Sequence, residues 1–187
     1  MTSTNLKNAA DYFAHVVKPN NDAFFGAPST FANALNLATA LYHFHEWLFY
    51  SFQSELDADF NTTFSSPYKF WETVQATDTR FGYIRDVTNA SKHISIGGLG
   101  KRKPSTKMTH IANTHIVSTP YGGGGYGSGR YGGSNVIFDE SGAQISFDDC
   151  ARALFNYWDQ LLTRMRATSV SSTPQSKRRP KRPRRSR

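Results

Sequence analysis

The sequence predicts a predominantly helical α+β domain at residues 1–166, followed by a disordered basic tail at 167–187. Three observations support this fold class. Apolar residues recur at three- and four-residue intervals through the first half of the chain and again near its end, which indicates a bundle of amphipathic helices. β-Branched segments lie between the two helical regions and predict a small antiparallel sheet or hairpin, inserted at about 110–147. From about Ala167 onward Ser, Thr, Pro and Arg dominate, which is typical of disorder.

The first predicted helix is short. Its apolar stripe consists of Leu6, Ala9, Ala10, Phe13, Val16 and Val17. Pro19 lacks the N–H that a helix interior needs, and the polar cluster Asn20-Asn21-Asp22 follows it, so we predict that the helix ends there.

A second and longer helix is predicted to begin after Ser29 or Thr30, either of which can cap it. One continuous apolar stripe defines this helix. It contains Phe31, Ala34, Leu35, Ala38, Leu41, Tyr42, His45, Leu48, Phe49 and Phe52. The length of the stripe makes this the clearest element of the sequence.

Ser66-Pro67 is a typical helix start, because the hydroxyl caps the first turn and the proline needs no N–H there. Asp78 or Thr79 can restart the helix, which would then run to His93. The pattern leaves open whether this region forms one kinked helix or two.

Three extended segments are predicted after the glycines at 97–98: 114–119, 135–138 and 144–147. Asp148 or Asp149 can cap a final helix. The apolar side of that helix carries Ala151, Leu154, Phe155, Trp158, Leu161, Leu162 and Met165.

The positive charge of the chain is concentrated at its end. The net charge is +8, and eight basic residues lie in the last eleven positions, so the remainder has 22 − 8 = 14 basic and 14 acidic residues. These eight residues are predicted to bind nucleic acid in a salt-dependent way. They are Lys177, Arg178, Arg179, Lys181, Arg182, Arg184, Arg185 and Arg187.

A second group of basic residues, Lys92, Lys101, Arg102 and Lys103, is predicted to extend the nucleic-acid-binding surface.

Cys150 is the only cysteine, which excludes an internal disulfide and fits a reducing compartment. Neither a signal peptide nor a long apolar run is present, so we expect a cytoplasmic protein that does not enter membranes, or a nuclear one in a eukaryotic host.

The segment from Arg85 to His93 carries the densest chemistry. On a helix, Arg85, Asn89 and His93 would form one row, because residues four apart are neighbours on its surface. Metal-free RNA cleavage needs a base near neutral pH and a cation for the developing negative charge, and histidine and arginine suit those roles. We therefore predict Arg85 as a phosphate clamp, Asn89 as an orienting group and His93 as a base.

This row, on a late helix of a predicted bundle, resembles the HEPN superfamily of helical proteins, many of which are dimeric, metal-independent ribonucleases. The resemblance implies that Arg85 holds phosphate, Asp86 is the polar residue after it, and His93 is the base. The family places its arginine and histidine closer together than the seven intervening residues found here. A rise of 1.5 Å per residue separates them by about 12 Å, so we expect the two groups to act across a homodimer. The segment also resembles Asp-x-x-Asn-Ala-Ser-Lys-His stretches in small bacterial and phage proteins.

Two non-catalytic alternatives remain open. Asn89 and His93 can instead be buried polar groups that tie the helix to its neighbours. The chain would then be a binding or scaffold protein, or a structural protein of a phage or virus, whose tail holds nucleic acid.

No cofactor or metal site is predicted. His43 and His45 point about 200° apart on a helix and cannot chelate one ion together, and a core histidine is the better interpretation of His45. The segment 120–133 contains tyrosines among glycines, which suits either base stacking or a flexible connection, and the latter is favoured.

Overall fold

The computed structural model describes residues 5–26, 30–91, 114–118, 134–140 and 143–172. Within these ranges the chain is predominantly helical, with a three-stranded antiparallel sheet that precedes the last helix in the sequence. The predicted fold class is therefore confirmed. The predicted basic tail, apart from the helical residues up to Ser172, lies outside the described residues.

The first helical region runs past the point where the sequence predicts its end. Helix α1 (Ala9–Tyr12) continues into a π-helical segment (Phe13–Val17) and then into α2 (Lys18–Gly26). The predicted stop at Pro19 is thus wrong. In the π-helical segment the Lys18 N–H donates to the Phe13 carbonyl, five residues back, so Pro19, which has no N–H, directly follows a wider turn.

Helix α3 (Phe31–Asp59) begins at the predicted cap, since the Thr30 hydroxyl accepts a hydrogen bond from the Asn33 N–H at 3.1 Å. Its backbone departs from helical values at Phe52 (φ −143°, ψ 33°), where the helix is kinked. After the helix, Asn61 adopts a positive φ of 49°, a conformation that asparagine tolerates. The helix therefore extends beyond the predicted apolar stripe.

The region after residue 65 forms two helices. Helix α4 (Pro67–Thr77) is capped by Ser66, and α5 spans Arg80–Ala90. Asp78 is extended and separates them. Its carboxylate accepts a hydrogen bond from the Arg80 N–H at 2.9 Å, which fixes the start of α5.

The sheet has the strand order β1 (Thr114–Ser118), β2 (Ser134–Glu140) and β3 (Ala143–Ser146). In its register Ile116 lies opposite Val136, and Phe138 lies opposite Ile145. Val136 is fully buried, and β2 packs against the last helix.

Helix α6 (Phe147–Ser172) begins earlier than predicted. Its first turn is capped by the Ser146 hydroxyl, which accepts from the Asp149 N–H at 3.3 Å, so neither Asp148 nor Asp149 is the cap. The helix also continues past residue 166, the predicted domain boundary. Near its end the Ser169 hydroxyl donates to Glu55 at 2.6 Å, which holds this extension against α3.

The core lies where α3, α5 and α6 pack against one another. Trp71 of α4 and Trp158 of α6 are both fully buried there, and the Trp158 indole N–H donates to the Leu41 carbonyl at 2.8 Å. Among the described residues, no helix has the length and apolar character needed to cross a membrane.

Candidate functional site

Arg85 lies on the most enclosed helix of the bundle. Almost every residue of α5 is buried, and Arg85 is only 5% exposed. Its Nε and Nη2 donate to one oxygen of Asp86 at 2.8 and 2.7 Å, and Asp86 is fully buried. The guanidinium predicted to clamp phosphate is therefore engaged by a carboxylate inside the protein.

A second partner holds the other side of the guanidinium. Arg85 Nη1 donates to Gln75 Oε1 at 2.7 Å, and the same oxygen accepts from the Trp71 indole N–H at 3.0 Å. These bonds join α4 to α5 through polar groups at the part-buried edge of the core. A buried charge needs such partners, because losing water costs several kcal/mol per ion.

This network affects how the predicted row can be interpreted. A phosphate in solvent would have to displace Asp86 or Gln75 to reach the Arg85 guanidinium. The contacts thus favour the structural alternative for Arg85. We call this set of side chains, Trp71, Gln75, Arg85 and Asp86, the core polar network.

The rest of the row is only partly described. Asn89 is half-buried and lies four residues after Arg85 on α5, as predicted. His93 lies outside the described residues, as do Lys92, Lys101, Arg102, Lys103 and the eight tail residues 177–187 that the sequence assigns to nucleic-acid binding. Their predicted roles therefore stay predictions.

His45 is a core residue, in agreement with the interpretation favoured from the sequence. It is 2% exposed, and its Nδ1 bonds to the Tyr42 carbonyl, which can only accept, so Nδ1 carries the proton. Burial lowers the pKa of His45 below its ordinary value. His43 instead contacts Glu46 at 3.4 Å, and the described part of the chain holds no group of three metal-ligating side chains.

Cys150 does not behave as a nucleophile in this environment. Its side chain is fully buried at the start of α6, and this burial raises the pKa of the thiol to about 12. Because the thiolate is the reactive form, the cysteine is inert at neutral pH.

A cavity that was not predicted from the sequence lies beside α3. It has a volume of about 330 Å³ and is lined by Lys7, Glu46, Trp47, Tyr50 and Ser51. Trp47 and Tyr50 lie outside the apolar stripe that defined the helix in the sequence. Two aromatic residues away from a buried stripe are the signal that would have identified this surface.

The described residues thus contain a buried polar network on α4 and α5, and a separate open cavity on α3. The first is arranged for structure, since its charges bond to one another. The second combines aromatic, acidic and basic side chains that remain accessible. Comparison of the chain with protein-family models, curated proteins and solved structures returned no match.

Proposed function

We propose that this protein binds nucleic acid through its basic tail and that the helical domain is a non-catalytic scaffold. The observation that carries the proposal is the concentration of eight basic residues in the last eleven positions, beside a remainder with equal numbers of acidic and basic residues. Lysine and arginine attract the phosphate backbone regardless of base sequence, by releasing its counterions. The tail is therefore the main source of attraction.

Three surface cations of the helical domain support this division of roles. Arg80 pairs with Asp78 at 2.6 Å and Arg164 with Asp59 at 3.1 Å. Lys69 pairs with Glu72 at 2.7 Å. Because these cations lie beside carboxylates, they add little positive potential to the surface. Arg85 is directed into the core polar network and does not add to it either.

The test compares the full chain with a variant in which all eight basic residues of 177–187 are replaced by Gln. Fluorescence anisotropy with a labelled single-stranded oligonucleotide measures the affinity at about 0.15 M salt, where exposed charges are already screened beyond about 8 Å. We expect the substituted protein to lose most of its binding. Equal affinities for the two proteins would contradict the proposal.

A matched control separates charge from sequence. A variant whose tail contains the same residues in shuffled order keeps every charge, and we expect it to bind as tightly as the original chain. A large loss in this variant would mean that the tail is recognised by its sequence, as a protein-binding peptide would be.

A second candidate function is RNA cleavage of the HEPN-like type, favoured by the placement of Arg85 and Asn89 four residues apart on α5. It requires His93 as the base, acting across a homodimer with an Arg85 side chain that would have to leave the core polar network. Incubation of the protein and a His93→Ala variant with RNA in EDTA tests it. Equal cleavage by both proteins, or none by either, would remove this candidate.

A further inference from the structure

Tyr50 is the most exposed of the large hydrophobic side chains that the structure describes. It is 77% exposed and borders the cavity on α3, where Trp47 lies one turn earlier on the helix. Glu46, Lys7 and Ser51 complete the lining. We call this set of side chains the α3 cavity.

The α3 cavity has a rigid wall. Trp47 stacks on Tyr12 with their ring centroids 4.8 Å apart and an interplanar angle of 22°. Beside it, the Ser51 hydroxyl accepts from the Ala9 N–H at 2.9 Å, which ties the start of α1 to α3. The π-helical segment begins directly after Tyr12, and such segments often lie at functional sites. The aromatic face is therefore held in place before any ligand arrives, which reduces the entropy cost of binding.

The side chains of the α3 cavity suit a ligand with three properties. Trp47 and Tyr50 offer surfaces on which a flat ring can stack, Glu46 offers a carboxylate acceptor, and Lys7 offers a positive charge. An aliphatic side chain would use neither charge, and a cationic one would pair with Glu46 but be repelled by Lys7. A nucleotide unit has a flat base, amino groups that donate to carboxylates, and a phosphate.

We propose that one base of a single-stranded nucleic acid stacks in the α3 cavity while the tail holds phosphates of the same strand. This inference rests on the nucleic-acid binding proposed above and adds a contact to the bases themselves. Glu46 would accept from the exocyclic amino group of the base, and Lys7 would contact a phosphate. The tail alone is indifferent to bases, so the α3 cavity would supply the preference for base-bearing strands.

The experiment uses the full chain and two labelled 12-mers with equal numbers of phosphates, one of deoxycytidines and one abasic. We expect Tyr50→Ala to bind the deoxycytidine strand on the order of tenfold more weakly, the size of one lost stacking contact, and the abasic strand equally well. Tyr68→Ala is the matched control, since Tyr68 is a 48% exposed tyrosine on α4 outside the cavity lining. It should bind both strands as the original chain does.

Tryptophan fluorescence gives an independent readout. Trp71 and Trp158 are fully buried, so a base that stacks in the α3 cavity should quench Trp47. We expect the deoxycytidine strand to quench the tryptophan fluorescence of the original chain, and we expect no such quenching in the Trp47→Phe variant.

The possible failures are distinguishable. Equal affinity of the full chain for both strands, with no effect of Tyr50→Ala, would overturn the α3 cavity as a base site while tail binding stands. Binding of neither strand at low salt would overturn the proposed function itself. If Tyr50→Ala weakened the binding of both strands equally, the effect would not come from a base contact, and the inference would also be overturned.

Discussion

Arg80 and Arg85 lie on the same helix and differ in their surroundings. Arg80 pairs with Asp78 at the surface, where the Arg80 side chain is 48% exposed. Arg85 and Asp86 instead pair in the core, where their side chains are 6% and 0% exposed. A surface pair stabilises a protein little, because water already solvates both charges. Removing one member of a buried pair leaves an uncompensated charge inside the protein.

We expect Arg85→Met to lower the free energy of unfolding by about 3–5 kcal/mol, because the buried Asp86 carboxylate loses its two bonds to the guanidinium. Arg80→Met, the same substitution five positions earlier, should cost about 0–1 kcal/mol. Urea denaturation followed by circular dichroism measures both. Equal stability of the two variants would contradict the stabilising role assigned to Arg85 in the core polar network.

The burial of His45 should make the stability of the fold depend on pH. The unfolded chain takes up a proton as the pH falls through about 6.5, whereas burial keeps the pKa of the folded His45 lower. This contribution to stability is therefore complete above about 6.5 and is lost as the pH falls through the lowered folded pKa. We expect His45→Gln to flatten the fall in melting temperature between about pH 7 and pH 5. His15→Gln, at an exposed position of the π-helical segment, should keep it. A fall of equal steepness in both variants would contradict this account.

At the scale of elements, the starts of α3 and α4 were predicted correctly, whereas the start of α6 and the end of the first helix were not. Thr30 and Ser66 act through local hydroxyl–backbone bonds that a sequence shows directly. Where the helix continues through Pro19, a π turn precedes the proline and the Asn20 side chain donates to the Val16 carbonyl at 2.8 Å. At α6 two acidic residues follow Ser146, and any of the three could have been the cap. Local rules fail where a wider turn or several adjacent candidates change the outcome.

The Ser66 hydroxyl caps α4, and its contribution to stability can be measured by substitution. Its hydroxyl accepts from the Lys69 N–H at 3.3 Å, so we expect Ser66→Ala to lower the free energy of unfolding by about 1 kcal/mol. Ser65→Ala is the neighbouring control, since Ser65 is exposed, and it should change stability by less than about 0.5 kcal/mol. Chemical denaturation of the two variants checks this, and an equal cost would show that the Ser66 hydroxyl is not a stabilising cap.

For the whole molecule, hydrophobic periodicity predicted the fold class, because burial of apolar faces determines which segments become helices and strands. The candidate site was less predictable. Arg85 and Asn89 do share a helix, but the capture of the Arg85 guanidinium by Asp86 and Gln75 depends on how α4 packs beside α5. The α3 cavity likewise requires the chain before α1 to lie against α3. The bonding of Arg85 and the formation of the α3 cavity both depend on tertiary packing, which local sequence patterns do not show.

The salt dependence of nucleic-acid binding by the unmodified chain tests the central claim most directly. If the eight tail charges contact phosphates of a single strand, the logarithm of the binding constant should fall with the logarithm of the salt concentration at a slope of about −5 to −6. Anisotropy titrations between about 0.05 and 0.3 M salt give this slope. A slope shallower than about −2 would contradict the claim that the tail holds the nucleic acid.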